Sequence, residues 1–134
     1  MLDRLSQSLE TYMDLLVTRQ KLVSSNIANL DTPGYRTRDI NFQQQLEAAL
    51  DRGAGAGRIN SNGPPRFTEQ TRAAVPILEQ PVAGLTVKND GNDVSLEREA
   101  RLLAETAMRF QMASMMLERR LSVTKAAIRE EVAR

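Results

Sequence analysis

The sequence contains no cysteine, no histidine and no tryptophan, and its only aromatic residues are Tyr12, Tyr35, Phe42, Phe67 and Phe110. Each absence excludes something. Without cysteine there is no disulfide scaffold. Without cysteine or histidine, a zinc or iron–sulfur site lacks its usual ligands. Nucleophilic catalysis by a Ser-His or Cys-His pair is excluded for the same reason. Charge of one sign is also lacking, with 18 Lys+Arg against 17 Asp+Glu and a net charge of +1. That balance, with so few aromatics, argues against a nucleic-acid face, which needs a basic footprint or stacking platforms. No apolar run approaches the ~18 residues of a membrane span. The opening Met1-Leu2-Asp3-Arg4-Leu5-Ser6-Gln7 has no basic stretch leading into an apolar core, so no cleaved secretory signal is expected. Carboxylates such as Asp14, Asp39 and Glu105 show no paired spacing suited to acid–base chemistry. No enzyme activity, no cofactor, no metal and no small-molecule substrate is expected.

Glycine and proline are missing from both ends and crowded in the middle. Between Leu2 and Leu30 there is neither. There Leu2, Leu9, Leu16, Val23 and Leu30 recur every seven residues. Leu5 and Tyr12 hold the intermediate position before Arg19 and Asn26 take it over, and Met13, Gln20 and Ile27 widen the stripe. This pattern predicts an amphipathic helix over residues 1–30, and its seven-residue period favours supercoiling against a partner. A polar residue such as Asn26 at an apolar heptad position either fixes register or caps the helix end.

A second helix is predicted over residues 94–132. Ser95 or Asp93 is the candidate N-cap, and Glu97 and Glu99 place negative charge in the first turn. The apolar spacing then alternates four and three through Leu96, Ala100, Leu103, Ala107, Phe110, Ser114, Leu117, Leu121, Thr124 and Ile128. Met108, Met112, Met115 and Met116 broaden the stripe with adaptable side chains. The basic residues Arg109, Arg119, Arg120, Lys125 and Arg129 alternate with Glu118, Glu130 and Glu131, which reads as a solvated outer face.

Residues 51–93 hold most of the glycine and proline, including Gly53-Ala54-Gly55-Ala56-Gly57 and Asn60-Ser61-Asn62-Gly63-Pro64-Pro65. They predict a flexible connector without regular structure, with at most a short β-hairpin pairing residues 75–78 with 85–87. The expected fold class is all-α, two long terminal helices joined by an irregular middle. Two helices of this size form a marginal domain alone, and the wide methionine face of the second implies association.

Between the first helix and the middle, residues 31–50 form a turn followed by a short helical segment. Pro33-Gly34 suits the centre of a type II turn, with Gly34 supplying positive φ. The run Ser24-Ser25-Asn26-Ile27-Ala28-Asn29-Leu30-Asp31-Thr32-Pro33-Gly34-Tyr35 is longer than a helix stop requires. It resembles the N-terminal signature of the bacterial flagellar rod and hook axial proteins, an Asn-(Leu/Ile)-Ala-Asn block followed by Thr-Pro-Gly-(Tyr/Phe). Within that superfamily the chain is most similar to the proximal rod proteins. The shortness of the chain, the continuation Arg38-Asp39-Ile40-Asn41-Phe42, and the second-helix opening Asp90-Gly91-Asn92-Asp93-Val94-Ser95-Leu96-Glu97-Arg98-Glu99 carry that similarity. It covers residues 1–50 and 90–130 and is weak over 51–89.

The resemblance implies that the N- and C-terminal helices pair as a coiled coil. It also implies a signature turn at Asn26, Asn29, Asp31, Thr32, Pro33, Gly34 and Tyr35. Copies would pack helically into the torque-transmitting rod of the basal body, in the periplasm. The implied assembly seam comprises Leu2, Leu9, Leu16, Val23, Leu96, Leu103, Ala107, Phe110, Leu117, Leu121 and Ile128. The implied partners are copies of the chain, other rod proteins, the adaptor joining rod to membrane ring and, transiently, the flagellar type III export gate. Synthesis in the cytoplasm and export without a cleaved signal go with this. Family members carry an export-recognition motif of the form Phe-x-x-x-apolar, which Phe42 and Leu46 match. The same residues with Leu50, spaced i, i+4, i+8, also suit a helical turn packing on a neighbour. The alternatives are another rod or hook subunit with a shortened middle, or a soluble coiled-coil adaptor forming a closed dimer.

Overall fold

A computed structural model describes residues 2–55 and 78–132, with side chains from 5 to 51 and from 78 to 131. The element order is α1 (Leu2–Ala28), β1 (Arg38–Ile40), α2 (Phe42–Gly55), β2 (Glu79–Pro81) and α3 (Leu96–Val132). The architecture is mostly helical, with one two-stranded antiparallel ribbon. α1 packs along α3, and α2 lies against α1.

The first helix forms where the heptad pattern predicts it and ends at Ala28. The Asn29 amide bonds back to the carbonyls of Ser25 and Asn26, and the Leu30 amide to Ile27, which closes the last turn before Pro33. Its buried apolar face is Leu15, Leu16, Leu22 and Val23. α3 begins after Ser95, whose hydroxyl accepts the Arg98 amide at 3.4 Å, as an N-cap does. Its buried face runs through Glu99, Leu102, Thr106 and Ala113. At roughly 1.5 Å per residue, the 37 residues of α3 outreach the 27 of α1 by about 15 Å.

Two expectations for the middle are corrected. Gly53 and Gly55 lie inside α2. A glycine costs a helix only about 1 kcal/mol relative to alanine, which a helix already nucleated at Asn41 tolerates. The pairing of residues 75–78 with 85–87 is also not the one formed. β2 pairs instead with β1, in the register Arg38 to Pro81, Asp39 to Gln80 and Ile40 to Glu79, and residues 85–87 carry no strand. The ladder is short because Pro81 has no amide to donate. It is prolonged by one bond, from the Val82 amide to the Thr37 carbonyl at 3.1 Å. Residues 75–77, with the segment Asn60–Pro65, lie outside the described residues.

Candidate functional site

The chain turns at Thr32-Pro33-Gly34-Tyr35. The Tyr35 amide reaches the Thr32 carbonyl at 3.3 Å, and Gly34 has φ +72°, as a type II turn requires of its third residue. A second turn, Lys88 to Gly91, is closed by the Gly91 amide on the Lys88 carbonyl at 2.9 Å. The two turns dock: the Gly34 amide donates to the Asp90 carbonyl at 2.9 Å. A Cβ on Gly91, which has φ +83°, would lie 3.4 Å from the Gly34 Cα. Here it is the positive φ of both residues that calls for glycine; the approach itself is an ordinary contact.

Asn92 staples the turns together. It is fully buried, and its side-chain amide donates to the carbonyls of Asn29 and Thr32, both at 2.9 Å. Its side-chain oxygen accepts the Val94 amide at 2.8 Å. Asn29 in turn donates to the Ser25 carbonyl at 2.8 Å and accepts the Thr32 hydroxyl at 3.1 Å. Asp31 and Pro33 are exposed. Asp93, the candidate N-cap, serves otherwise. One of its oxygens accepts the Thr37 amide at 2.6 Å and the Thr37 hydroxyl at 2.9 Å, and the other faces Arg36 at 3.4 Å. Burial alone would raise the Asp93 carboxyl. The hydrogen bonds from Thr37 and the Arg36 cation together outweigh it and hold the group below the ordinary carboxylate range.

Asn26 is buried with all four side-chain hydrogen-bonding positions filled. Its amide donates to the Arg38 carbonyl at 2.8 Å and to the Glu99 carboxylate at 3.1 Å. Its oxygen accepts the Tyr35 hydroxyl at 3.0 Å and the Arg38 amide at 3.2 Å. It is therefore a cross-brace among α1, β1 and α3 rather than a cap. Glu99, fully buried, also pairs with Arg98. Arg98 reaches Asp39 at 2.8 Å, and Asp39 is gripped by both arms of the Arg19 fork at 3.1 and 3.0 Å. Two arginines and two carboxylates thus balance inside one clasp. Sequence reasoning named Asn26 and the Thr-Pro-Gly-Tyr turn but missed Arg19, Asp39, Asn92, Arg98 and Glu99 as partners. The one available signal was Arg19 and Asn26 replacing the apolar residues of a heptad row.

Phe42 and Leu46 are half-buried and pack against the cluster of Leu15, Leu22 and Ile40. The Phe42 ring meets Tyr12 edge-on at 5.4 Å, and the Arg19 guanidinium lies 5.9 Å from its centroid. Asn41 caps this helix through the Gln44 amide at 3.3 Å. Leu50 is exposed.

Among the seam residues, Leu16 and Val23 are buried, and Leu9, Leu103, Phe110 and Leu117 are half-buried. Leu96, Ala107, Leu121 and Ile128 are exposed, and the Leu2 side chain lies outside the described residues. The line that α3 buries against the chain's own α1 is therefore offset from the predicted seam. Leu121 and Ile128 lie about five whole turns after Leu103 and Phe110 and so share their side of α3; they are exposed toward the end of α3 that outreaches α1. Leu96 and Ala107 lie farther round on that side, and Met108, Met112, Met115, Met116 and Val123, each more than half exposed, face away from it. Among the described residues no helix is long and apolar enough to cross a membrane.

Residues 13–36, the end of α1 and the signature turn, match the family described as "Flagella basal body rod protein". The chain is similar to "Flagellar basal body rod protein FlgB" of Escherichia coli (strain K12), at 32% identity over 122 residues covering 84% of this chain and 86% of that protein. It is 35% identical over 122 residues to FlgB of Cereibacter sphaeroides (strain ATCC 17023), with 85% of each covered. Against FlgB of Buchnera aphidicola it is 30% identical over 99 residues, 74% of each chain.

Proposed function

The chain belongs to the FlgB family of flagellar basal body rod proteins and is a structural subunit of that rod, not an enzyme, and on that premise we propose that it polymerises in the proximal rod through its two terminal helices. The observation that carries this reading is the surface of α3, which leaves Leu121 and Ile128 exposed toward its far end and a methionine face turned away from α1. A growing shaft needs a heterologous contact, in which one patch of a subunit meets a different patch of the next. Two separate patches on one rigid helix meet that need; a closed dimer needs one. Its partners are copies of itself and other rod proteins, with the adaptor to the membrane ring at the base, and the shaft they build transmits torque in the periplasm. α1 and α3 act in it as a coiled-coil pair, and Leu9, Leu16, Val23, Leu103, Phe110 and Leu117 are the residues proposed to hold it together.

Phe42 and Leu46 serve in turn as export-gate recognition and as packing. Their contacts with Leu15, Leu22 and Ile40 occupy them once α2 has docked. Capture by the type III export gate therefore precedes folding, on a chain made in the cytoplasm and sent out without a cleaved signal. Phe42→Ala is expected to leave the protein in the cytoplasmic fraction; undiminished secretion would move the signal elsewhere.

The test of the rod assignment is deletion of the gene in its own host, with electron microscopy of purified hook–basal bodies. Missing rods, restored by a plasmid copy, are expected. Intact rods and normal swimming would refute the assignment.

A further inference from the structure

The apolar seam between α1 and α3 does not determine how far one helix slides along the other. Leu9, Leu16 and Val23 recur every seven residues, as do Leu103, Phe110 and Leu117. A slide of one heptad, about 10 Å, returns each apolar row to an equivalent row. The connection resists it only through the docked turns, where Asn92 bonds the carbonyls of Asn29 and Thr32 and Asp93 bonds Thr37. What distinguishes one alignment from its neighbours is polar and sits at one end. Asn26 of α1 meets Glu99 of α3 at 3.1 Å, with both residues fully buried. Glu99 holds Arg98, and Arg98 reaches Asp39, which is already gripped by Arg19 of α1.

We propose that the Asn26–Glu99–Arg98–Asp39–Arg19 network is a register lock, which selects one axial alignment of α1 and α3 and so sets where the exposed patches of α3 stand relative to α1. A slip removes Asn26 from Glu99 and Arg98 from Asp39 together, leaving buried polar groups without partners. The lock includes Asp39 of β1 and the Arg38 carbonyl and amide. The alignment is therefore selected only once the signature turn has folded and brought β1 against the helix end. A buried polar group at an apolar heptad position gives specificity at a cost in stability. Replacing such a network by apolar residues of similar size often leaves stability unchanged or higher. This separates a lock from a mere stabiliser. The inference deepens the helix pairing proposed above, but it is read on the free chain and does not require rods to form.

The experiment uses the full chain, which has no native cysteine. Lys21→Cys on α1 and Glu118→Cys on α3, both exposed positions, carry nitroxide labels for distance measurement by pulsed electron paramagnetic resonance. The parent is expected to give one narrow distance. In a background of Asn92→Ala, which releases the docked turns and by itself is expected to keep one distance, the pair Asn26→Leu with Glu99→Leu is expected to show a second distance, from an axial displacement of about 10 Å. In the same background Asn26→Ala, which leaves Glu99 on Arg98, is the milder variant and is expected to show the same second distance. A single unshifted distance in the variants would overturn the proposal. So would a parent that is itself broadly distributed, since a lock leaves one alignment. Loss of the folded state in both variants would overturn it too, because the network would then supply stability rather than register. Rods that fail while the distances stay single would fault the assembly reading and not the lock.

Discussion

Asp93 shows what a buried carboxylate does when it is well supplied with donors. Its folded-state affinity for a proton is depressed by Thr37 and Arg36 despite burial. A group with a depressed folded pKa contributes stability that is fully present above its unfolded value, about 3.9 for aspartate. That contribution is lost as pH falls through the lower folded value. Acid unfolding followed by circular dichroism is therefore expected to steepen below about pH 4. In Asp93→Asn that steepening should diminish, at the cost of lower stability at neutral pH; an unchanged acid limb would refute the assignment. Asp93 was legible as a helix-start residue because Asp before an apolar periodic run is a common cap. Its real partner, Thr37, is 56 residues away, and no local pattern reports such a pairing. The same holds for Asn92 with Asn29 and for Asn26 with Glu99.

At the scale of the element, α2 is held to α1 by Phe42 and Leu46 and weakened by Gln45. The Gln45 side chain is buried, and its Oε1 has no hydrogen-bond partner among the described residues. An unsatisfied buried acceptor costs about 1–3 kcal/mol. Gln45→Leu is expected to raise stability by a good part of that, measured by urea unfolding with unchanged m. A loss of stability would mean that the amide has a role which leucine cannot fill. The β1–β2 ribbon was not legible, because three residues on each strand are too few for alternation to show. The second strand comes from a stretch whose glycines and prolines advertise a loop. Both long helices were legible because seven-residue periodicity over four or more turns has few other causes.

For the whole molecule, the decisive feature is what stays uncovered. Met108, Met112, Met115 and Met116 stand in solvent on α3, away from its packed line. Met112→Asp is expected to leave the thermal melt of the free chain within about 0.5 kcal/mol of the parent, as surface changes usually do. It is expected to abolish rods in a complementation assay scored by electron microscopy. A folded, exported variant that restores normal rods would remove this face from the interface.

The sequence by itself determined the two terminal helices, the type II turn at Pro33-Gly34, the lack of any cysteine or histidine, and the family. These depend on local steric rules, on periodicity and on which side chains exist at all. Only the tertiary structure decided which face of α3 is spent inside the subunit. The predicted seam and the buried line differ by the rotation of one helix about its axis. The buried line carries Glu99, whose partner Asn26 lies 73 residues away, and Asp39 meets Arg98 over a similar span. A heptad pattern specifies that a helix has an apolar side; which residues of that side meet which partners depends on contacts between distant parts of the chain.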